Sequence, residues 1–138
     1  MPVLVVVIGT IGAGKTNWIK NLPTLPLFGC VIDDSDLREV SHDYIYLIKY
    51  LKEGKNSLVC HQWFTDAMIL DEFTTAIKRA VPNIELVFIY FENNIEKCRA
   101  NLIRRHGEGA AYFEKMLVDS AKNYRIPNNT KQHAVWQP

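Results

Sequence analysis

The sequence predicts an α/β fold in which a mostly parallel sheet of four or five strands carries helices on both faces. Two observations support this class. Apolar runs alternate along the 138-residue chain with segments that repeat at helical spacing. A glycine-rich loop also separates the first apolar run from the first helix. The length suits one compact domain, so residues 1–138 are assigned to a single domain.

In the first half of the chain, two strands and two helices are predicted. Val3–Ile8 is a continuous apolar run, mostly β-branched, as expected for a strand buried on both faces of a parallel sheet. The first helix begins near Gly14 and ends before Pro23. Phe28–Asp33 is the second strand, and apolar residues at helical spacing over 37–51 predict the second helix.

The second half repeats this alternation. Its predicted elements are, in order, strand Ser57–Gln62, helix 70–81, strand Glu85–Phe91, helix 95–106 and helix 113–124. Glycines separate the last two helices. The segment 128–138 either adds a short edge strand over His133–Trp136 or forms a tail.

Charge and composition exclude a disordered or strongly basic protein. The chain has 16 Lys and Arg residues against 15 Asp and Glu, a net charge of +1, and 48% of its residues are hydrophobic. Residues 97–138 are nevertheless basic, with eight positive against three negative side chains. This basic end either receives an anionic substrate or forms a solvated helical face.

Cysteine usage and hydropathy predict a compartment. Cys30, Cys60 and Cys98 form no C-x-x-C pair and lie in apolar runs, which predicts reduced, buried thiols. The opening run Val3–Ile8 is too short for a signal peptide or a membrane span. We therefore expect a cytoplasmic protein without membrane association, in the host cytoplasm if the chain is viral.

The loop after the first strand carries the most specific motif of the chain. Residues 9–16 read Gly-Thr-Ile-Gly-Ala-Gly-Lys-Thr and match the Walker A pattern G-x-x-x-x-G-K-[ST] at every fixed position. Glycines allow the backbone turns that point successive N–H groups at phosphate oxygens. The motif predicts a P-loop NTPase fold; the alternative is a glycine-rich turn that binds no ligand.

The loop residues have expected roles with ATP and Mg²⁺. Lys15 is expected to reach the β- and γ-phosphates, and Thr16 to offer its hydroxyl to the metal. GTP is disfavoured because the chain has no N-K-x-D motif for reading guanine. The predicted nucleotide-binding residues of the loop are Gly9, Thr10, Gly12, Ala13, Gly14, Lys15 and Thr16.

Acidic residues follow the second strand, where a parallel sheet places its ligands. A hydroxyl that accepts a phosphoryl group needs a carboxylate to take its proton. Asp34 is the first choice for this base and Asp36 the second, while Asp33 is placed nearest Mg²⁺. In the alternative interpretation, Ser35 or Asp36 caps the next helix and the other aspartates are solvated.

Two further segments add candidate residues. The third strand ends in His61 and Gln62, where many nucleotide hydrolases carry an aspartate for the metal. In one interpretation both side chains face the acceptor. In the alternative, His61 is a buried histidine whose hydrogen bonds are satisfied within the protein. After the fourth strand, Arg104 is predicted to contact the transferring phosphate and Arg105 the nucleotide or substrate, unless this is a solvated basic helix end.

With these residues in place, the chain resembles the polynucleotide-kinase-like P-loop kinases. The resemblance rests on Gly9–Thr16 followed by Trp18, on the stretch 33–38, on Asn101–Arg105 before a glycine, and on Tyr124–Pro127. It implies ATP, Mg²⁺, an aspartate base, an arginine that grips substrate phosphate and a lid arginine. These functions fall on Lys15, Thr16, Arg38 and Arg104, whereas the position of the base falls on Ser35. The base must then be Asp34 or Asp36, or be missing.

Small phage kinases that phosphorylate 5-hydroxymethyluracil in DNA are similar in size and layout, and the run Ile89–Asn93 looks like theirs. The resemblance makes this base in phage DNA the leading acceptor, reached by base flipping. Candidate residues for stacking on it are Trp63, Phe64, Tyr112 and Trp136. The alternatives are a kinase of a free nucleotide, nucleoside or metabolite, and a nucleotide-dependent switch ATPase. Protein partners are not predicted.

Overall fold

A computed structural model describes residues 1–33 and 40–138, without the side chains of residues 40–43. Five strands form one sheet in the order β2-β3-β1-β4-β5, and every pair of neighbouring strands is parallel. The strands are β1 (Val3–Ile8), β2 (Cys30–Ile32), β3 (Ser57–Cys60), β4 (Glu85–Phe91) and β5 (Gln132–His133). The predicted α/β class is confirmed, with the optional fifth strand present.

Helices connect the strands. They are α1 (Lys15–Lys20), α2 (Val40–Lys52), α3 (Ala67–Ala80), α4 (Ile95–His106) and α5 (Glu114–Asn123). The short 3₁₀ segments are Leu25–Leu27, Gln62–Thr65 and Gly107–Phe113. Side-chain oxygens cap the N-termini of two helices. Asp66 accepts hydrogen bonds from main-chain amides in the first turn of α3, and Asn94 accepts one from an amide in the first turn of α4.

The central strand β1 has a buried core on each face. Leu4, Val6 and Ile8 belong to one core, together with Leu47 of α2 and Ile77 of α3. Val7 belongs to the other core, which α1, α4 and α5 complete. Alternate side chains of a strand point to opposite faces, so a continuous apolar run at the centre of the sheet fills both layers.

Three strands differ from their predicted bounds. β2 and β3 are shorter than Phe28–Asp33 and Ser57–Gln62. At the end of β3 the His61 ring accepts a hydrogen bond from the Trp63 amide and starts a 3₁₀ turn, which ends the pairing. β5 overlaps the predicted His133–Trp136 only at His133, because beyond it the Val135 amide donates to the Glu92 side chain instead of to a strand carbonyl.

The predictions about membrane association and about the cysteines concern features that the structure describes. Within the described residues, no helix combines the length and apolar character needed to cross a bilayer. Cys60 and Cys98 are buried and Cys30 is half-buried, and no disulfide joins these three described cysteines. Burial raises the pKa of the Cys98 thiol, so this sulfur is protonated at neutral pH.

Candidate functional site

The segment 9–16 follows the central strand β1, at the sheet edge where α/β proteins bind ligands. Gly12 and Gly14 have φ values of +80° and +90°, which favour glycine. Contacts also exclude larger residues: a Cβ at Gly12 would lie 2.6 Å from the Cys98 carbonyl oxygen, and one at Gly14 would lie 2.5 Å from Cβ of Trp136. The loop is therefore packed between α4 and the segment after β5.

The Lys15 ammonium lies against the loop itself. Its Nζ donates hydrogen bonds to the carbonyl oxygens of Gly9 at 2.7 Å and Thr10 at 2.9 Å, and the side chain is buried. These contacts fix a positive charge inside the loop, where a phosphate group would need it. Since α1 has only six residues, its dipole is small, and the charge of Lys15 is the stronger attraction.

Thr16 and Asp33 lie together at the neighbouring strand end. The Thr16 hydroxyl donates a hydrogen bond to an Asp33 carboxylate oxygen at 3.0 Å, and Asp33 is buried. Both offer the oxygen ligands that Mg²⁺ prefers. In the described part of the chain, no group of three or more His, Cys, Asp or Glu side chains is placed to hold a metal.

Three predicted catalytic residues lie outside the described residues. These are the base candidates Asp34 and Asp36 and the substrate arginine Arg38. Ser35, the alternative cap, also lies in this segment. Their roles stay predictions.

His61 is a buried histidine with a satisfied ring. Its Nδ1 accepts the Trp63 amide at 3.0 Å, and the ring is 7% exposed. Burial, and secondly the positive charge of Lys15, lower the pKa of His61 to about 4. The ring is thus neutral at physiological pH and carries its proton on Nε2. Of the two alternatives for His61, the structure favours the satisfied buried histidine.

Asn101 joins the loop, the C-terminal segment and an arginine. Its Nδ2 donates to the carbonyl oxygens of Gly12 at 2.8 Å and Trp136 at 2.6 Å. Its Oδ1 accepts from Nη1 of Arg104 at 2.7 Å. The Trp136 amide in turn donates to the Ala13 carbonyl at 3.0 Å. Arg104 is therefore anchored beside the loop, whereas Arg105 is exposed and has no hydrogen bond among the described residues.

Sequence reasoning gave Asn101 no role, although a signal was present. It faces inward with Cys98 and Leu102, at helical spacing i, i+3 and i+4. A polar residue on a buried helical face needs partners, and that requirement could have identified it. Arg99, by contrast, joins α4 to α5, because its Nη2 lies 2.7 Å from Glu114, while its Nη1 lies 2.8 Å from Glu96 within α4.

A cleft opens beside the loop at Ile11, between the 3₁₀ segment after β3, the start of α3 and one face of α5. We call it the Ile11 cleft; its volume is about 240 Å³. The residues that matter most for its chemistry are Ile11, Gln62, Trp63, Asp66, Asp119 and Asn123. Of the four aromatic residues considered for stacking, Trp63 lines the cleft. Phe64 is wrong as a candidate because it is 2% exposed and belongs to the core.

The chain is similar in structure to proteins of known structure. No family model matches the chain, and no curated protein matches it. A gluconokinase from Sinorhizobium meliloti 1021 is similar in structure, with a TM-score of 0.60 and 14% sequence identity, over 99% of this chain and 85% of that one. An uncharacterized protein from Eubacterium ventriosum ATCC 27560 has a TM-score of 0.50 and 14% identity, over 96% and 87% of the two chains. The likeness shows a fold shared with P-loop kinases.

Proposed function

We propose that this protein is an ATP-dependent kinase that transfers the γ-phosphoryl group to a hydroxyl of a small molecule. One observation carries the proposal: the loop that fixes the Lys15 ammonium also borders the Ile11 cleft. Phosphoryl transfer consists mainly of positioning and charge stabilisation, so it requires such an adjacency of donor and acceptor sites.

ATP is proposed to bind along the loop and against the C-terminal segment. The loop amides and Lys15 hold the phosphates, with Arg105 as a further nucleotide contact. The half-exposed Trp136 indole is fixed beside Gly14 by the hydrogen bonds of its own main chain. This supports stacking of the nucleotide base on Trp136, a residue that the sequence offers as a candidate for stacking on the acceptor.

Each step of the phosphoryl transfer is assigned to particular side chains. A bond forms between the acceptor oxygen and the γ-phosphorus, and the bond from that phosphorus to the β–γ bridging oxygen breaks, releasing ADP. Lys15 and Arg104 offset the charge on the transferred group. Asp34, or else Asp36, takes the hydroxyl proton, and Arg38 holds the acceptor. Thr16 and Asp33 would hold Mg²⁺, which when bound supplies further charge neutralisation at the phosphates.

We propose a small metabolite as the acceptor on two grounds, a structural neighbour and the net charge of the chain. The structural neighbour named a gluconokinase supports this alternative over the nucleic-acid acceptor that the sequence resemblance placed first. A net charge of +1 also gives no broad electrostatic attraction to DNA. Phosphorylation of 5-hydroxymethyluracil in DNA stays a prediction, as does the switch ATPase.

A transfer assay tests the proposed function. The purified protein is incubated with Mg²⁺, ATP labelled at the γ-phosphate and one acceptor at a time: sugars and polyols, nucleosides, 5′-hydroxyl DNA or RNA, and 5-hydroxymethyluracil DNA. We expect label on a small molecule, lost in Lys15→Ala. Label within intact DNA would replace the acceptor by a nucleic acid. Slow hydrolysis without transfer to any acceptor would support the switch ATPase.

A further inference from the structure

We infer that the Ile11 cleft binds a small polyhydroxylated molecule without negative charge, such as a neutral or amine-bearing sugar or polyol. The inference rests on the proposed kinase function and specifies its acceptor. It differs from the two acceptors suggested by similarity, since DNA and an acid such as gluconate are both anionic. Charge, size and the surface chemistry of the cleft each support it.

The charge of the cleft disfavours anions. Asp66 at the start of α3 and Asp119 on α5 line it from two different helices. Among the described residues that line the cleft, there is no lysine or arginine. A carboxylate or phosphodiester placed here would meet two like charges, whereas a hydroxyl or an ammonium group would donate hydrogen bonds to them.

The two walls are held in place before any ligand arrives. One oxygen of Asp66 accepts the amides of Met68 at 2.9 Å and Ile69 at 3.3 Å, which fixes the carboxylate at the start of α3. A backbone bridge between Asp66 and Tyr124 joins this wall to the end of α5. Acidic groups on fixed elements can select a ligand by charge without closing around it.

The remaining lining suits a sugar-like molecule. The Trp63 side chain is 54% exposed and packs on the His61 ring, with 4.8 Å between ring centroids, so it presents a fixed aromatic surface. Gln62, Asn123 and Ser120 add amides and a hydroxyl, which both donate and accept hydrogen bonds as vicinal hydroxyls require. A volume of about 240 Å³ lies just below the usual range for small-molecule pockets, which suits a monosaccharide better than a nucleic-acid segment.

The test compares acceptors that differ in charge and little else. Transfer from labelled ATP is measured with a hexose or hexitol, the matching amino sugar and the matching sugar acid. We expect kcat/KM for the neutral or amine-bearing compounds to exceed that for the acid by about tenfold or more. Equal or better use of the acid, or label confined to DNA, would overturn the inference.

Three variants at exposed positions separate the cleft from the rest of the enzyme. Asp119→Lys should move the preference toward the acid by about tenfold or more, while Asp71→Lys, the same charge change on α3 outside the cleft, should not. Trp63→Ala should raise KM for the acceptor with kcat for bound substrate little changed. An unaltered preference in Asp119→Lys would contradict the inference.

Binding of Mg·ATP, followed by calorimetry on the same samples, distinguishes the two possible failures. If ATP binds and no uncharged or amine-bearing polyol accepts phosphate, this inference fails and the nucleotide site stands. If folded protein does not bind ATP, the proposed function fails and the inference with it.

Discussion

The hydroxyl of Thr16 donates a hydrogen bond to a carboxylate oxygen of Asp33 across 3.0 Å, joining the start of α1 to the end of β2. The two residues that the sequence predicts near Mg²⁺, from separate segments, are thus in contact. The strand order places β2 beside β3 and β3 beside β1, so β2 and the loop after β1 end at one edge. The pair forms an oxygen-lined position next to the proposed phosphate site.

Asp33→Asn tests the metal assignment. The Thr16 hydroxyl can still donate to the amide oxygen, so the fold should persist, but the negative charge that favours Mg²⁺ is gone. We expect the Mg²⁺ concentration for half-maximal activity to rise roughly 10- to 100-fold. A titration with Mg²⁺ at saturating ATP measures this, with Asp71→Asn as the control. An unchanged midpoint would remove Asp33 from the metal site.

Asn101→Leu tests whether Asn101 is a positioning residue. Leucine has the heavy-atom count and branching of asparagine but leaves the carbonyls of Gly12 and Trp136 without this donor and Arg104 without its anchor. We expect the free energy of unfolding to fall by about 1–3 kcal/mol and kcat to fall as well. Urea denaturation and steady-state kinetics measure the two effects.

Arg104→Ala provides the comparison, since this side chain is exposed and should affect kcat with little change in stability. Asn83→Leu is the same substitution at an exposed asparagine in the turn before β4 and should affect neither quantity. If Asn101→Leu lowers stability while kcat at saturating substrates is unchanged, Asn101 has a structural role only.

The lowered pKa of His61 predicts that the free energy of unfolding decreases in mild acid. Its pKa is about 4 in the folded protein and 6.5 ordinarily, so between these pH values the unfolded chain binds a proton that the folded chain does not. Stability should therefore fall as the pH drops from 6.5 to 4, by about 3 kcal/mol in total. The pKa of His133 is also lowered, chiefly by burial, and contributes in the same direction.

His61→Asn isolates the contribution of His61. The asparagine oxygen can accept the Trp63 amide in place of Nδ1, and it does not titrate. Denaturant midpoints measured across pH 4–7 should decline less steeply in this variant than in the wild type. Parallel curves for the two proteins would show that His61 is not the group responsible.

Trp136→Ala tests the proposed base contact. Loss of one aromatic stacking surface is worth about 0.5–1.5 kcal/mol, which corresponds to an affinity for ATP weaker by about two- to tenfold. Trp136→Phe should retain most of the affinity. Trp63→Ala removes an exposed tryptophan in the Ile11 cleft and should leave ATP affinity unchanged. Weaker ATP binding in Trp63→Ala with normal binding in Trp136→Ala would reverse the two assignments.

Local sequence signals predicted the regular elements well and their ends less well. β1 and β4 have their predicted bounds, because continuous apolar runs mark strands flanked by other strands. β3 ends before its predicted limit because a side chain of His61 satisfies a main-chain amide two residues later. Such competition between side chains and the strand ladder depends on ring orientation, which hydropathy does not encode.

The part of the candidate site that one continuous segment supplies could be predicted from the sequence. The parts that are built from several distant segments could not. The phosphate loop is contiguous, so a motif reveals it. The Asn101 contacts join the loop to α4 and to the chain's last residues, and the Ile11 cleft joins the segment after β3 to α5. These meetings depend on strand order and helix packing, which local patterns do not specify.

Calorimetric titration of ATP into the folded protein, with and without Mg²⁺, tests whether segment 9–16 is a nucleotide-binding loop. We expect Mg²⁺-dependent binding of one ATP per chain that is lost in Lys15→Ala, because the Lys15 ammonium lies inside the phosphate loop. Equal thermal melting of the two proteins would show that the variant is folded. Absence of Mg²⁺-dependent binding to folded wild-type protein, or equal binding by Lys15→Ala, would contradict this assignment.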